Sequence, residues 1–125
     1  MNSILICLSG SVGLPEMASE LRSRDYSVEA SPTRLVVTLG EAKLWVELDS
    51  SCELLNEYEP EEIELIRRAV GDFSGLILDY RDVRFANEVA AAIAMCWPCI
   101  IDNETGFFGQ GEQFLEVFPP SSRGS

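Results

Sequence analysis

Apolar and polar positions along this chain alternate in two rhythms, and the switch from one to the other outlines its elements. Residues 3–9 (SILICLS) are a short, nearly all-apolar run, the pattern of a buried strand. GSVGLPE follows, with glycine punctuation and then Pro15 at a first helical position. Leu14, Met17, Ala18 and Leu21 repeat at helical spacing and form an inward stripe. Three strands are predicted next, at 26–30, 34–39 and 43–48, with SPT and GEA as their turns. In the third, Leu44, Val46 and Leu48 share one face while Trp45 and Glu47 share the other, the alternation of a half-buried antiparallel strand.

The second half returns to the helical rhythm. In EPEEIELIRRAVG, Pro60 opens a helix, Glu61 and Glu62 occupy its first turn, Arg67 and Arg68 its last, and Gly71 stops it. Ile63, Ile66 and Val70 make its buried stripe. SGLILDY (74–80) is a strongly apolar strand expected near the centre of the sheet. Asp82 caps a helix over 83–96 whose inward face is Phe85, Val89, Ala92, Ile93 and Cys96, and Pro98 ends it. CIID (99–102) is a further strand, NETG a turn into a short FFG segment, and a last helix around 112–117 packs through Phe114 and Phe118. The expected fold is α+β: a single-layer mixed, largely antiparallel sheet packed by three or four helices, in the order β-α-β-β-β-α-β-α-β. Residues 1–118 are read as one domain and 119–125 as a disordered tail.

Composition adds constraints. At 125 residues, 46% hydrophobic and 24% charged, the chain is long enough to bury a core without staples. No apolar run approaches a membrane span. The amino terminus MNSILICLSG lacks a basic n-region and a small-residue cleavage site, so the expected location is the cytoplasm, with Cys7, Cys52, Cys96 and Cys99 as reduced thiols. There is no histidine, which removes the commonest general base and the commonest metal ligand together.

Charge changes the picture most. Nine basic and 21 acidic residues give −12, and the imbalance is local. ELDSSCELLNEYEPEEIE (47–64) carries eight acids and no base, two-thirds of the net charge. Direct binding to nucleic acid or an anionic membrane is disfavoured, because phosphate contacts need Lys and Arg. A cationic protein is drawn to such a surface. Glu61 and Glu62 answer a helix dipole, and Glu64 is placed to pair with Arg68 at i,i+4. The other five acids are interleaved with Cys52, Leu54, Leu55 and Tyr58, and apolar anchors inside an acidic rim suit tight binding of a basic partner. The expected partner-binding set is Glu47, Asp49, Glu53, Leu55, Glu57, Tyr58, Glu59, Glu61 and Glu62.

CWPC (96–99) has the spacing of a thiol–disulfide site, but in the wrong place. A redox CxxC puts its attacking thiol at a helix amino terminus, where the dipole favours thiolate. Here the helix comes first, so Cys96 falls at a carboxyl terminus and on the apolar stripe begun by Phe85, with no lysine or histidine near. The motif reads as a helix stop, with Trp97 as packing. Four scattered cysteines without histidine make a poor zinc set. GSVG (10–13) lacks the spacing and the lysine of a phosphate loop. Asp79, Asp82 and Asp102 invite a magnesium reading, yet each has a local role, Asp79 in an ion pair with Arg81. No serine has a histidine partner or a G-x-S-x-G elbow. No catalytic residue, metal or cofactor is expected, and the chain is read as a non-enzyme.

One stretch carries a family likeness. LILDYRDVRFANEVAAAIAMCWPCIIDNETG (76–106), about a quarter of the chain, is similar to the strand–DYRD–helix–WP-x-x-x-DN-x-x-G run of small proteins encoded beside bacterial polymorphic toxins. The chain thus resembles the immunity proteins of contact-dependent inhibition, type VI secretion and Rhs loci. The resemblance implies a protein that binds one cognate toxin domain and blocks its active site or substrate path. It carries over no catalytic residues. A thiol–disulfide oxidoreductase using CWPC, and a loading chaperone or adaptor that binds without neutralising, are the alternatives.

Overall fold

The computed structural model describes residues 2–49, 56, 58–104 and 106–119. Its organising element is β1 (Asn2–Ser9), in which Ile4, Leu5, Ile6, Cys7 and Leu8 are all buried. A strand apolar on both faces must be flanked on both edges and covered on both sides. β1 pairs antiparallel with β5 (Phe73–Tyr80), Asn2 opposite Tyr80 and Ser9 opposite Phe73. Its other edge pairs antiparallel with β6 (Cys99–Asp102), Leu8 opposite Cys99. With β2 (Ser27–Ala30), β3 (Arg34–Leu39), β4 (Ala42–Leu48) and β7 (Phe108–Gln110), the sheet runs β2-β3-β4-β5-β1-β6-β7. Every pairing among these strands is antiparallel. The α+β class is as expected, but the sheet is antiparallel throughout rather than mixed, because β1 meets both of its neighbours antiparallel, and β5 stands fourth of seven strands. β7 departs from the expected FFG segment: three residues pair with β6, Phe108 opposite Asp102, and close that edge.

The helices divide unequally between the faces. α1 (Leu14–Ser23), α3 (Val83–Cys96) and α4 (Gly111–Val117) cover the larger core, built on Ile4, Ile6 and Leu8 of β1 and Leu44, Val46, Leu76 and Leu78 of its neighbours. α2 (Pro60–Val70) lies on the opposite face over a smaller cluster of Cys7, Ile66 and Ile100. It packs on β6, β1 and β5. Each fully buried aliphatic side chain contributes roughly 2 kcal/mol of transfer free energy, so the three-helix face supplies most of the stabilisation.

Local chemistry sets the helix ends. Asp82 caps α3 through one carboxylate oxygen that accepts from the N–H groups of Arg84 at 3.0 Å and Phe85 at 3.3 Å. Phe85, Ala86, Val89, Ala90, Ala91, Ala92 and Ile93 are buried, and the four alanines bring this helix close to the sheet. Pro98 crowds the residue before it out of the helical region, and Trp97 is extended at φ −141° and ψ 144°. Gly71, at φ 75° and ψ −144°, takes a conformation open to glycine alone and stops α2. At Gly111 a Cβ would meet Cys99 Sγ at 2.9 Å and Ala94 Cβ at 3.1 Å, so glycine lets α4 approach α3 and β6. Pro15 stands second in α1 rather than first. The expected tail, beyond Pro119, lies outside the described residues.

The Asp82 cap yields a stability test. Asp82→Ala should cost about 1 kcal/mol by the usual loss of an N-cap, read as a lower urea midpoint at unchanged slope. Asp82→Asn, which keeps an acceptor, should cost less than half as much.

Candidate functional site

The structure divides the acids of the 47–64 window by what their carboxylates do. Glu47 projects from β4 on the face that carries α2 and pairs across the sheet with Arg34, at 3.7 Å. Asp49 continues the strand by one bond, its N–H donating to the Gly75 carbonyl at 2.8 Å. Glu59 and Glu62 form a reciprocal capping box at the start of α2, with the Glu59 N–H donating to Glu62 Oε1 at 2.9 Å. Glu64 takes the expected pair with Arg68, at 3.2 Å. Glu61 is exposed on the outer surface of the same turn. Glu53, Leu55 and Glu57, with Cys52 and Leu54, lie outside the described residues.

Tyr58 is half-buried. Its hydroxyl donates to Asp102 Oδ2 at 3.2 Å and its ring lies 5.7 Å from that of Phe108. It therefore fastens the approach to α2 onto β6 and β7, as well as bordering the acidic surface. A residue outside the expected set joins that surface instead. Leu65, one helical turn beyond Glu61 and next to Glu64, is 44% exposed. The sequence carried the signal: Leu65 falls off the Ile63–Ile66–Val70 stripe, in phase with Glu61 and Arg68. The acids engaged in caps and pairs keep their negative charge, so all of them add to the field over α2. Exposed apolar surface within that field is what desolvated contact requires.

The CWPC thiols are placed differently from expectation in one respect. Cys96 ends α3 but is half-buried in a polar cluster with α1: its Sγ donates to Glu20 Oε1 at 3.1 Å and accepts from Arg24 Nη2 at 3.4 Å. Arg24 and Glu20 are themselves 3.3 Å apart. The cation that sequence spacing did not place beside Cys96 is the arginine that follows the last residue of α1. Burial, then the Glu20 carboxylate, raise the Cys96 pKa, and Arg24 opposes them without reversing the direction. Cys99 faces the larger core from β6, where burial pushes its thiol up to about 12. Cys7, under α2, also rises to about 12 through burial, with Asp102, Cys99 and Asp49 adding to it. None of these three forms a disulfide. A cavity of about 190 Å³ beside the motif is bordered by Met95, Trp97, Pro98, Gln110 and Glu112.

The remaining motifs are engaged locally. Gly10 donates to the Asp72 carbonyl at 3.0 Å and Val12 to that of Ser9 at 3.0 Å, so GSVG is a closed turn between β1 and α1. The three aspartates do not converge. Asp79 accepts from Ser3 Oγ at 2.6 Å rather than pairing with Arg81, Asp82 caps α3, and Asp102 holds Tyr58 and the Glu104 N–H. Among the described residues no three Cys, Asp or Glu side chains are grouped to hold a metal ion, and no helix is long and apolar enough to cross a membrane. Set against known proteins, the chain matches no family profile, no curated protein and no solved structure.

Two measurements test the thiol assignments. With iodoacetamide at pH 8, native Cys7 and Cys99 should react at least a hundredfold more slowly than a model thiol, since roughly 1 in 10,000 of a thiol with pKa 12 is ionised there. The second is alkaline stability. The folded pKa lies above the ordinary 9.0, so above pH 9 the unfolded chain holds fewer protons and stability falls as pH rises toward 12. Cys7→Ala should flatten that fall in a series of urea midpoints between pH 8 and pH 11, against the unchanged background of tyrosine and lysine titration.

Proposed function

We propose that this chain is a binding protein, not an enzyme, that engages and neutralises a cationic toxin domain in the cytoplasm, in the manner of the immunity proteins it resembles. The observation that supports the reading is the 47–64 window: eight acids and no base, continued on α2 by an exposed Leu65 between Glu61 and Arg68. Long-range attraction to that surface speeds encounter with a basic domain. Apolar contact through Leu65, and through Leu55 in the same window, supplies affinity that charge alone does not. A toxin acting on nucleic acid fits best, because its own substrate path must be cationic, and an acidic surface competes for it directly.

Co-expression with the carboxyl-terminal domain of the protein encoded beside it is the deciding experiment. Survival together with a stable complex is the expected outcome. A complex without protection would make the chain a loading chaperone, and neither complex nor protection would end the reading. Within a complex, Glu53→Lys combined with Glu57→Lys should slow association about tenfold or more at low salt, with the gap closing as ionic strength rises. Leu65→Ser should act on dissociation instead, by about 1 kcal/mol or more as desolvated anchors do.

A further inference from the structure

The carboxyl end of α3 leaves acceptors that neither the fold nor the acidic window uses. The last carbonyls of a helix have no donor within it and point past its final residue. Trp97 N–H takes the Ile93 carbonyl. The next carbonyl, that of Ala94, would accept from residue 98, and proline has no N–H to give. The donor due to Met95 is Cys99, which has turned into β6. Among the described residues no backbone N–H from outside the helix reaches the Ala94 or the Met95 carbonyl. This helix end stands at the cavity of about 190 Å³ between α2, α3 and the start of α4, bordered by Ala69, Ala94, Trp97 and Glu112, with the half-exposed Met95 on its rim.

Size and charge together select an occupant. Sites for metabolites and drug-sized ligands run from about 300 Å³ upward, so this cavity suits a single side chain. Glu112, in the first turn of α4, is the one charged residue that borders it. The carboxyl end of α3 brings about half a negative charge and the amino end of α4 about half a positive one, so the Glu112 carboxylate sets the sign. On the surrounding elements Arg24, Arg67 and Arg68 face Glu20, Glu64 and Glu116. Arg24 lies 3.3 Å from Glu20 and Arg68 3.2 Å from Glu64. Arg67 is exposed and, two residues before Ala69, stands on the opposite side of α2 from it.

We propose that this cavity receives one arginine side chain of the basic partner. The guanidinium stacks on the Trp97 indole, donates to the free carbonyls at the end of α3 and pairs with Glu112. Lysine fits less well, because a compact ammonium neither stacks flat nor forks between a carbonyl and a carboxylate. Trp and Arg are the residue types that dominate binding energy at interfaces, and here each partner supplies one of them. This deepens the proposed function and rests on its reading that the partner is a basic protein. It adds a pocket of defined shape to a surface that otherwise attracts by charge alone.

The test needs no partner. The ¹⁵N-labelled chain is titrated with acetyl-arginine methylamide, with the lysine counterpart, and with the citrulline counterpart, which has the shape of arginine without its charge. The indole N–H signals of Trp97 and Trp45 serve as reporter and internal control. The expected result is a saturable shift at Trp97 and none at Trp45, with citrulline about tenfold weaker than arginine, the size of 1.4 kcal/mol of lost charge contact. Lysine should fall between the two. Glu112→Gln should weaken the arginine compound by a similar factor and leave the citrulline compound unchanged. Equal responses to arginine and citrulline, lysine as tight as arginine, arginine binding unchanged in Glu112→Gln, or no response at Trp97 would each overturn the site. If the variant loses its native spectrum, the comparison of the three compounds on the unaltered chain decides alone. A failed titration leaves the co-expression result standing, and failed co-expression leaves the titration standing.

Discussion

The burial of β1 on both faces is the constraint from which the rest of the structure follows. Ile4, Ile6 and Leu8 point one way, Leu5 and Cys7 the other, and neither set tolerates water. Antiparallel neighbours on both edges satisfy its backbone, which fixes β5 and β6 at its sides. Helices must then cover both faces, and among the described residues α2 is the helix on the Cys7 side. Among the described residues α2 packs on β6, β1 and β5 of that face, while Val36, Trp45 and Glu47 at its β3–β4 end are half-buried.

How much of this was legible in the sequence depends on the range of the interaction. Helix and strand positions were readable because their signals are local: the Leu14–Leu21 stripe, the Asp82 cap, the Glu64–Arg68 pair and the stop at Trp97–Pro98 each lie within a few residues. β7 was not readable, since three residues of Phe-Gly-Gln show no alternation and gain strand form only by pairing with β6. The contacts that define the sites were harder still. Cys96 meets Arg24 across 72 positions, Ser3 meets Asp79 across 76, and Tyr58 meets Asp102 across 44. No pattern of spacing carries such pairs before the topology is known. Thus the prediction that Cys96 belongs to an apolar stripe was reasonable from 3.6-residue periodicity and incomplete, because α1 supplies the polar side of its surroundings.

The thiols show how one motif divides into two environments. Cys99 alternates into the core as a strand residue, while Cys96 ends a helix and turns to α1. Their three-residue separation spans the Trp97–Pro98 change of direction, so the side chains serve different layers. Burial raises both pKa values, and at Cys96 a carboxylate works against the one cation available. An attacking thiol needs the opposite balance, with positive charge dominant and solvent at hand. The physical setting is that of packing residues.

Charge on the α2 face has a direction as well as a size. Acids gather at the start of the helix, where Glu59, Glu61 and Glu62 meet the positive end of its dipole, and Arg67 and Arg68 occupy the other end. Lys43 and Arg81 lie on the Trp45 ring at the β3–β4 end of the same sheet face, among the carboxylates of Glu41, Asp79 and Asp82. Opposite charges at fixed, separate places exclude most orientations of a charged partner, because a rotated complex would set like against like. On the proposed reading, the −12 of the whole chain sets how fast a basic domain arrives, and the placement of a few cations within that field sets how it sits. A uniformly acidic surface would attract any basic protein. On the proposed reading, selectivity comes from where these charges sit, and strands β3 to β5, whose register the buried centre of the sheet holds fixed, keep them in place.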